Sequence, residues 1–370
     1  MTEKKKVVMY FPYAASYRAP IYQLIDEEFE CEWHFCSNAN ERYKLRFMDY
    51  SKLKHLSFNH KEVYIYGDLK FSTGLGSIII PKNGALIIPG NIRDLSTWLL
   101  MIKGKIQRRK VFVWTHGFYG KENKVEILLK RIYYGLCDKC LVYGNRAKKL
   151  MYENHISQPD DIVVIYNSLD YDEEVARRSS IRSGILRTHF SNQNPNIVFV
   201  GRLTRVKRLD MVIRAIYELK LKGKNFNAVF IGSGSEQEHL ERITADLGLT
   251  EQIWFFGACY DEDVIGSVLN DSDLCISPGN VGLTAMHMLN YGVPVITNNN
   301  YNTQMPEFEA IQEGKTGAFF EENNLQSLVD TVIQWVESIE EPKTVKNNCY
   351  KTIDTYYNPH KQLEILKQII

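Results

Sequence analysis

The chain has 370 residues, of which 44% are hydrophobic and 24% are charged, and its formal net charge is +1. This composition is typical of a folded globular protein and argues against a disordered chain, while the length predicts two domains of about 150–200 residues each. The sequence contains no apolar run of about 18 residues, so we expect no membrane-spanning helix.

The charge is distributed unevenly between the two halves. Residues 1–190 hold 30 Lys and Arg against 21 Asp and Glu, whereas residues 191–370 hold 15 against 23. The first half is therefore the one expected to face phosphates or an anionic membrane surface. The seven scattered cysteines, an odd number, indicate a reducing compartment, so we expect a cytoplasmic protein.

The first half alternates buried-strand patterns with helical patterns. Strands are predicted at 6–11, 31–36, 62–66, 85–88, 110–115, 139–143 and 162–166, and helices at 19–30, 92–103, 125–137 and 145–154. Alternation of this kind is typical of a parallel sheet. Residues 7–11 are interpreted as a first strand and not as a signal peptide, because Pro12 interrupts the apolar run.

The second half repeats the pattern, with strands predicted at 196–200, 228–231, 253–256, 273–276 and 293–297 and helices at 209–221, 236–247, 261–269, 283–290 and 326–340. The predicted fold class is α/β, with two Rossmann-like doubly wound domains. The expected domains are 1–175 and 195–342, joined by a linker at 176–194. Residues 343–370 are rich in Lys and are expected to return to the first domain.

Three loops of the second half leave the same edge of the predicted sheet. The first carries Arg202 and Lys207 directly after a strand. A guanidinium fork and a mobile ammonium together suit the two phosphates of a diphosphate, although a solvated basic turn is the alternative. The second loop carries Gly232 and Gly234, which allow a ligand to approach the backbone. It lacks the third glycine of a dinucleotide signature, since Gln237 stands there.

The third loop runs through Gly279–Gly282 into the helix predicted at 283–290. The N-terminus of a helix presents unpaired N–H groups and the positive end of its dipole, so it suits a phosphate. An ordinary βα turn is the alternative for this loop taken alone. The three loops together, one after each of three strands, are more specific than any one of them.

Two patterns suggest metal sites. Asp261 with Asp263, and Asp271 with Asp273, have a spacing that can hold Mg²⁺ or Mn²⁺, but each pair lies at an element boundary where Asp commonly caps a helix. Cys137 and Cys140 have no second cysteine pair and no neighbouring histidine to complete a site. We therefore expect capping and burial, and no bound metal.

Several segments resemble a known family. FVGRLTRVKRLDMVIRA, FIGSGSEQEHLE, WFFGACYDEDVIGSVLNDSDLCISPGN, VGLTAMHMLNYGVPVI and MPEFEAIQEGKTGAFF are similar to the donor half of retaining GT-B glycosyltransferases of the GT4 type. The likeness spans residues 196–340 and is weaker over 1–170, in WTHGFYG, LVYGNRAKKL and VVIYNSLD. The resemblance implies two domains that face each other across a cleft, a UDP- or GDP-type nucleotide-sugar donor, no cofactor, and retention of anomeric configuration.

The resemblance also implies site residues. His116 would reach the transferred sugar from the acceptor-binding first domain, and Arg202 and Lys207 would hold the diphosphate. The implied donor-binding residues are Gly201, Gly232, Gly234, Phe256, Asn280, Gly282, Leu283, Thr284, His287 and Glu307. The family usually has two glutamates where this chain has Gly279 and His287, so the identity of the donor sugar cannot be carried over.

The implied partners are a nucleotide sugar and a saccharide acceptor, and no nucleic acid is expected. If the first half contacts a membrane, we expect the acceptor to be a lipid-diphosphate-linked saccharide in bacterial surface-polysaccharide assembly. Basic, aromatic stretches at 93–110 and 121–134 suit peripheral contact with an anionic membrane at its inner face, or else form helices that bury their apolar faces. A catalytically silent GT-B scaffold is the rival function. An oxidoreductase would need a glycine-rich signature after the first strand, which residues 12–16 lack.

Overall fold

The computed structural model describes residues 4–43 and 46–370 and divides the chain into two compact units. The first unit is Met1–Asp170 together with Asn358–Ile370, and the second is Tyr171–Tyr357. Each unit contains a parallel sheet with helices connecting its strands. The predicted α/β class with two doubly wound, Rossmann-like domains is confirmed.

The first unit is built on a seven-stranded sheet of order β3-β2-β1-β6-β7-β8-β9. Its strands are β1 Lys6–Tyr10, β2 Glu30–Cys36, β3 Leu56–His60, β6 Gly84–Pro89, β7 Val111–Thr115, β8 Lys139–Val142 and β9 Ile162–Val164, with β4 Glu62–Tyr66 and β5 Leu69–Ser72 in a separate pair. Its helices are α1 Ala19–Glu28, α2 Ala39–Arg42, α3 Leu95–Gln107, α4 Lys124–Tyr134, α5 Asn145–Glu153 and, at the other end of the chain, α14 Pro359–Ile369.

The second unit has a six-stranded sheet of order β12-β11-β10-β13-β14-β15. Its strands are β10 Asn196–Val200, β11 Asn227–Ile231, β12 Ile253–Gly257, β13 Leu274–Ser277, β14 Val295–Asn298 and β15 Gly317–Phe320. Its helices are α6 Tyr171–Arg177, α7 Ile185–Phe190, α8 Leu209–Leu221, α9 Gln237–Asp246, α10 Glu262–Asn270, α11 Leu283–Asn290, α12 Leu325–Ser338 and α13 Pro342–Tyr356.

Both sheets reverse their strand order once, and this reversal determines where a ligand can enter. The central strands are apolar and buried on both faces, as in β1, where Val7, Val8 and Met9 are all 0% exposed. The direction in which successive strands are added to the sheet reverses between β1 and β6 in the first unit and between β10 and β13 in the second, and both of these pairs are parallel. The loops at the carboxyl ends of two such strands diverge and leave a crevice, which is where doubly wound sheets bind ligands.

One predicted strand lies outside the parallel sheet. Glu62–Tyr66 pairs antiparallel with Leu69–Ser72. The two residues between these strands are Gly67, at φ +55°, and Asp68, and a two-residue connection with a left-handed glycine is the signature of a hairpin. The local turn thus determined how this strand pairs.

The expected linker at 176–194 is not an extended connection. It contains α7 and packs on the second unit, where the Asp271 carboxylate accepts hydrogen bonds from the backbone of Gly184 at 2.7 Å and of Leu186 at 3.1 Å. Leu186 is fully buried, so an apolar anchor holds the segment in place. Its charged and Ser-rich composition concealed this anchor.

The C-terminal segment that returns to the first unit begins later than the expected residue 343. Cys349 and Ile353 bury α13 within the second unit, and only the segment from Asn358 onward belongs to the first. Leu366 and Ile370 of that segment lie in the first unit's core. Within the described residues, no helix has both the length and the apolar character needed to cross a bilayer.

Candidate active site

Glycine residues bring the first two loops of the second unit into direct contact. Gly201 donates its N–H to the carbonyl of Ile231 at 2.9 Å, and Gly232 donates to that of Gly257 at 2.8 Å. A Cβ at Gly232 would lie 1.9 Å from the carbonyl oxygen of Gly201, and one at Gly234 would lie 2.1 Å from that of Leu203. No side chain fits at either position, so these glycines are required by backbone packing.

The crevice between β10 and β13 is crossed by contacts from Lys207. Its Nζ donates a hydrogen bond of 2.6 Å to the carbonyl of Asn280, and its own carbonyl accepts one of 3.1 Å from the N–H of Gly279. A Cβ at Gly279 would lie 1.9 Å from the carbonyl oxygen of Val206. The position where the family usually has a glutamate is therefore closed to any side chain in this chain.

A buried polar cluster that sequence reasoning missed supports the same loop. Gln304 accepts a hydrogen bond of 2.9 Å from the N–H of Val281 and donates one of 3.0 Å to the hydroxyl of Thr297. Asn298 donates to the carbonyl of Pro278 at 2.8 Å. All three side chains are at most 2% exposed, so their hydrogen bonds fix the shape of the loop. The only sequence signal was the position of Gln304 directly before the MPEFEAIQEGKTG segment.

The first turn of α11 presents free backbone donors beside this loop. Among the residues that the structure describes, no acceptor lies within hydrogen-bonding distance of the N–H groups of Gly282, Leu283 and Thr284. Gly282 precedes the helix at φ +51° and offers no side-chain cap. The hydroxyl of Thr284 donates to the carbonyl of Val200 at 3.4 Å, which places this turn at the end of β10. The arrangement suits an anion.

The charges around Lys207 act in opposite directions. Burial, together with the positive charge of Arg202, lowers the pKa of Lys207, while the carboxylate of Glu307 opposes the shift. Glu307 is 2% exposed in the short 3₁₀ helix Pro306–Ala310, whereas Arg202 is exposed at the start of its loop. The predicted cations therefore act on each other, and an anion between them would relieve their repulsion.

Two predicted donor-binding residues are occupied by other contacts. Nε2 of His287 lies 3.3 Å from a carboxylate oxygen of Glu262 on α10, and this oxygen also accepts a hydrogen bond from Tyr291. Burial alone would lower the pKa of His287, but the hydrogen bond to Glu262 and the negative charges of Glu174 and Glu262 raise it overall. The ring of Phe256 packs on Trp254, 4.8 Å between centroids, while Phe255 stacks on Phe230 in the core.

The four aspartates that have the spacing of metal ligands make structural contacts. Asp261 caps α10 by accepting from the N–H of Asp263, and the carboxylate of Asp263 pairs with Arg177 at 3.0 Å. Asp271 anchors the segment before α7, and Asp273 accepts from the N–H of Asn196 at 2.8 Å. In the described part of the chain, no three His, Cys, Asp or Glu residues cluster as a metal site would require. Cys137 and Cys140 are free thiols with their sulfurs 3.4 Å apart.

In the first unit, His116 directly follows β7 at the carboxyl edge of the sheet. Its ring lies 4.8 Å from that of Tyr143 and 6.1 Å from that of Tyr119, centroid to centroid. Burial, with a smaller contribution from the charge of Arg18, lowers the pKa of His116 to about 4. The imidazole is therefore neutral at physiological pH and can offer an uncharged donor or acceptor.

Comparisons with known proteins agree with this geometry. The family described as "Glycosyl transferases group 1" matches residues 186–352. An uncharacterized 41.2 kDa protein in the cps region of Klebsiella pneumoniae is 26% identical over 67% of this chain and 63% of its own length. An uncharacterized glycosyltransferase of Methanocaldococcus jannaschii is 28% identical over 37% of this chain and 36% of its own. The matched regions thus span less than two thirds of these relatives.

Solved structures share the fold over nearly the whole chain. The lipopolysaccharide outer core galactosyltransferase WaaB has a TM-score of 0.69 at 14% identity, covering 99% of this chain and 100% of its own. A glycosyltransferase from Rickettsia africae has a TM-score of 0.72 at 18% identity, covering 99% and 98%. At such identities the likeness shows the fold alone, and it confirms the predicted GT-B class. The match to the glycosyl transferases group 1 family covers residues 186–352, which carry the glycine loops and the Lys207 crevice.

Proposed function

We propose that this chain is a retaining glycosyltransferase that moves a sugar from a nucleotide-diphosphate sugar to a saccharide acceptor. The observation that carries the proposal is the crevice of the second unit, where the ammonium of Lys207 lies at Asn280, two residues before the free N–H groups of Gly282, Leu283 and Thr284. Backbone donors and cations arranged in this way stabilise a departing diphosphate. An Anabaena protein of the same fold has been solved with UDP and with UDP-glucose, which supports a nucleotide sugar as the donor.

In the proposed reaction, the bond between the anomeric carbon and the diphosphate oxygen breaks, and its electron pair leaves with the diphosphate. The acceptor hydroxyl oxygen forms the new bond from the same face of the sugar, and its proton passes to the departing phosphate oxygen. Arg202 and Lys207 would stabilise the negative charge that develops. His116 would contact the transferred sugar as a neutral imidazole, in keeping with its lowered pKa.

Calorimetric titration of the full chain with UDP, GDP, ADP and CMP tests the donor assignment. We expect one nucleoside diphosphate to bind and the Lys207→Ala variant to bind it at least tenfold more weakly, because a charge-assisted hydrogen bond is lost. Failure of every nucleotide to bind the wild-type chain would refute the proposal.

A second function is favoured by a specific observation. Gly279 is closed to side chains and His287 is held by Glu262, so neither of the positions usually taken by the family's glutamates can supply a carboxylate. A GT-B scaffold that binds a nucleotide without turning it over fits this loss. Nucleotide binding without transfer or donor hydrolysis would favour the scaffold, whereas turnover abolished by Lys207→Ala would favour the enzyme.

The acceptor is proposed to be lipid-linked, because the first unit exposes an apolar surface. Large aliphatic side chains on α3 and α4 are 39–78% exposed. The alternative interpretation of the sequence, in which these helices bury their apolar faces, therefore does not hold for these side chains. They are Leu95, Leu99, Ile102 and Ile106 on α3 and Val125, Leu128, Leu129 and Ile132 on α4, and we name this set the α3–α4 surface. The two helices lie side by side, since the rings of Trp98 and Tyr133 are 5.0 Å apart.

Basic residues border the α3–α4 surface. Those that are exposed are Lys105, Arg108, Lys110, Lys121, Lys124 and Arg131. Aliphatic side chains among lysines and arginines bind anionic lipid by burying apolar area and by electrostatic attraction. A peripheral site at the inner face of the cell membrane, in surface-polysaccharide assembly, is the proposed setting. The relative encoded in the cps region of Klebsiella pneumoniae supports that role.

A further inference from the structure

The segment 277–281, which leads from β13 to α11, is held by side-chain hydrogen bonds to its successive carbonyls. The hydroxyl of Thr297 donates to the first carbonyl of the segment at 2.7 Å, and the amide of Asn298 donates to the second and third at 2.8 and 3.0 Å. The ammonium of Lys207 donates to the fourth at 2.6 Å. Because each of these carbonyls has a donor, the path of the backbone into α11 is fixed.

Gln304 holds the last residue of this segment. Its Oε1 accepts from the N–H of Val281 at 2.9 Å, and its Nε2 donates to the hydroxyl of Thr297 at 3.0 Å and to the carbonyl of Asn298 at 3.2 Å. Thr297 and Asn298 belong to β14, so Gln304 ties the loop before α11 to a strand of the sheet. The side chain is 2% exposed and therefore offers almost no surface to a ligand.

The hydrogen bond from Val281 to Gln304 determines where the row of free donors begins. The next three N–H groups, those of Gly282, Leu283 and Thr284, have no acceptor in the part of the chain that the structure describes. Gln304 therefore occupies the last N–H before this row and leaves the following three for an anion. Donors that must meet a ligand in a fixed geometry need support from neighbouring side chains that do not contact the ligand.

We propose that Gln304 is a positioning residue for the donor diphosphate, because its hydrogen bond to Val281 orients the N–H groups at 282–284. The proposal rests on the proposed glycosyltransferase function and adds a residue that acts on the phosphates without touching them. The buried amide suits this role, since one side chain must both accept from the loop and donate to β14. All three N–H groups that Gln304 orients would donate to phosphate, so Gln304 should matter for the phosphates of a nucleotide and not for its nucleoside.

The test compares the binding of UDP and GDP to the full chain with that of uridine and guanosine, by calorimetry for the diphosphates and by ligand-observed NMR for the nucleosides. Gln304→Met keeps the length of the side chain and removes its acceptor and its donor. We expect this variant to bind the preferred diphosphate roughly tenfold more weakly, because a hydrogen bond that orients the donors is lost, and to bind the nucleoside unchanged.

A milder variant tests the same connection from its other end. Thr297→Val removes only the hydroxyl to which Gln304 donates, together with that hydroxyl's bond to the loop. It should weaken binding of the diphosphate about threefold and leave the nucleoside unaffected. This variant decides the question if Gln304→Met does not fold.

Gln362→Met is the matched control, because Gln362 is a second buried amide with both ends paired. It is 1% exposed in the first unit, where it accepts from the hydroxyl of Ser168 at 2.7 Å and donates to the carbonyl of Tyr166 at 2.9 Å. Both Met variants should unfold at a lower urea concentration than the wild type, but Gln362→Met should keep wild-type affinity for the diphosphate. Hydrogen exchange at the N–H of Val281, measured without nucleotide, should become at least tenfold faster in Gln304→Met only.

The outcomes distinguish this inference from the proposed function. If Gln304→Met binds the diphosphate like the wild type, or loses affinity for diphosphate and nucleoside alike, Gln304 only supports the fold and the inference is wrong, while the glycosyltransferase proposal stands. If no nucleotide binds the wild-type chain, the glycosyltransferase proposal itself fails, and this inference fails with it. A loss confined to the diphosphate, with faster exchange at Val281, supports the assignment.

Discussion

The ammonium group of Lys207 donates a hydrogen bond of 2.6 Å to the main-chain carbonyl of Asn280, and this contact joins the loop after β10 to the loop after β13. The same loops are joined by the N–H of Gly279 and the carbonyl of Lys207. The proposed phosphate site therefore depends on how closely two backbones approach across the strand-order reversal.

Replacing Lys207 with alanine should lower transfer by roughly 10²- to 10³-fold, because a preorganised donor to the departing diphosphate is lost. Steady-state kinetics with the nucleotide sugar that calorimetry selects would measure the effect. Lys222→Ala, which removes an exposed lysine from the end of α8, is the control and should retain wild-type turnover. Wild-type turnover in Lys207→Ala would remove this residue from the mechanism.

Gly279→Ala should destabilise the chain by about 1–3 kcal/mol, because the added Cβ overlaps the carbonyl oxygen of Val206. Gly279→Glu, which restores the usual family residue, should reduce activity for the same reason. Urea denaturation and kinetics would check both variants. Gly76→Ala places a Cβ in open space and should change neither property. A gain of activity in Gly279→Glu would show that the loop can open.

The contact between His287 and Glu262 should make stability depend on pH. The pKa of His287 is raised, so its contribution is fully present below about pH 6.5 and is lost as pH rises through the folded-state value. Glu262→Gln should therefore lower the free energy of unfolding by about 1 kcal/mol at pH 6, allowing for solvent screening, and by less at pH 8.5. Denaturant unfolding at both pH values, with exposed Glu251→Gln as the control, tests this. An equal loss of unfolding free energy at both pH values would mean that His287 carries no charge.

His116 should remain neutral across the physiological range, since burial and Arg18 lower its pKa to about 4. Its ring protons, assigned by comparison with His116→Asn, should not shift in NMR spectra between pH 8 and pH 5.5. The exposed His189, whose pKa is lowered by partial burial, provides an internal reference. A His116 titration near pH 6.5 would indicate a solvated imidazole and a different role.

The α3–α4 surface should bind vesicles that contain phosphatidylglycerol. Replacing Leu99 and Ile106 with glutamine should weaken sedimentation with such vesicles, because exposed apolar area is removed without a change of charge. Leu221→Gln, at an equally exposed position on the second unit, is the control. Binding that is independent of anionic lipid and of salt would contradict the assignment.

Much of the fold could be predicted because central strands are continuous apolar runs between turn residues. The edge strands β3 and β15 were missed, since LSFNH and GAFF are short and only partly buried. The hairpin strand Glu62–Tyr66 was found but placed in the wrong sheet, because its pairing depends on the Gly67–Asp68 turn.

The site was predictable wherever residues adjacent in sequence define a loop, as for Gly201, Gly232 and the start of α11. Contacts between distant residues were not. Glu262 holds His287 from 25 positions away, and Gln304 accepts from the N–H of Val281 from 23 positions away. Neither relationship leaves a periodic or local signal in the sequence.

The position of α14 has a consequence for synthesis of the chain. Leu366 and Ile370 share a core with Val7 and Met9, and the whole of the second unit is translated between these two segments. The second unit is contiguous and can fold while α14 is still being translated. The first unit is thus completed only after the second has been synthesised, and a nascent chain stalled before Asn358 would carry a finished second unit and an unfinished first one.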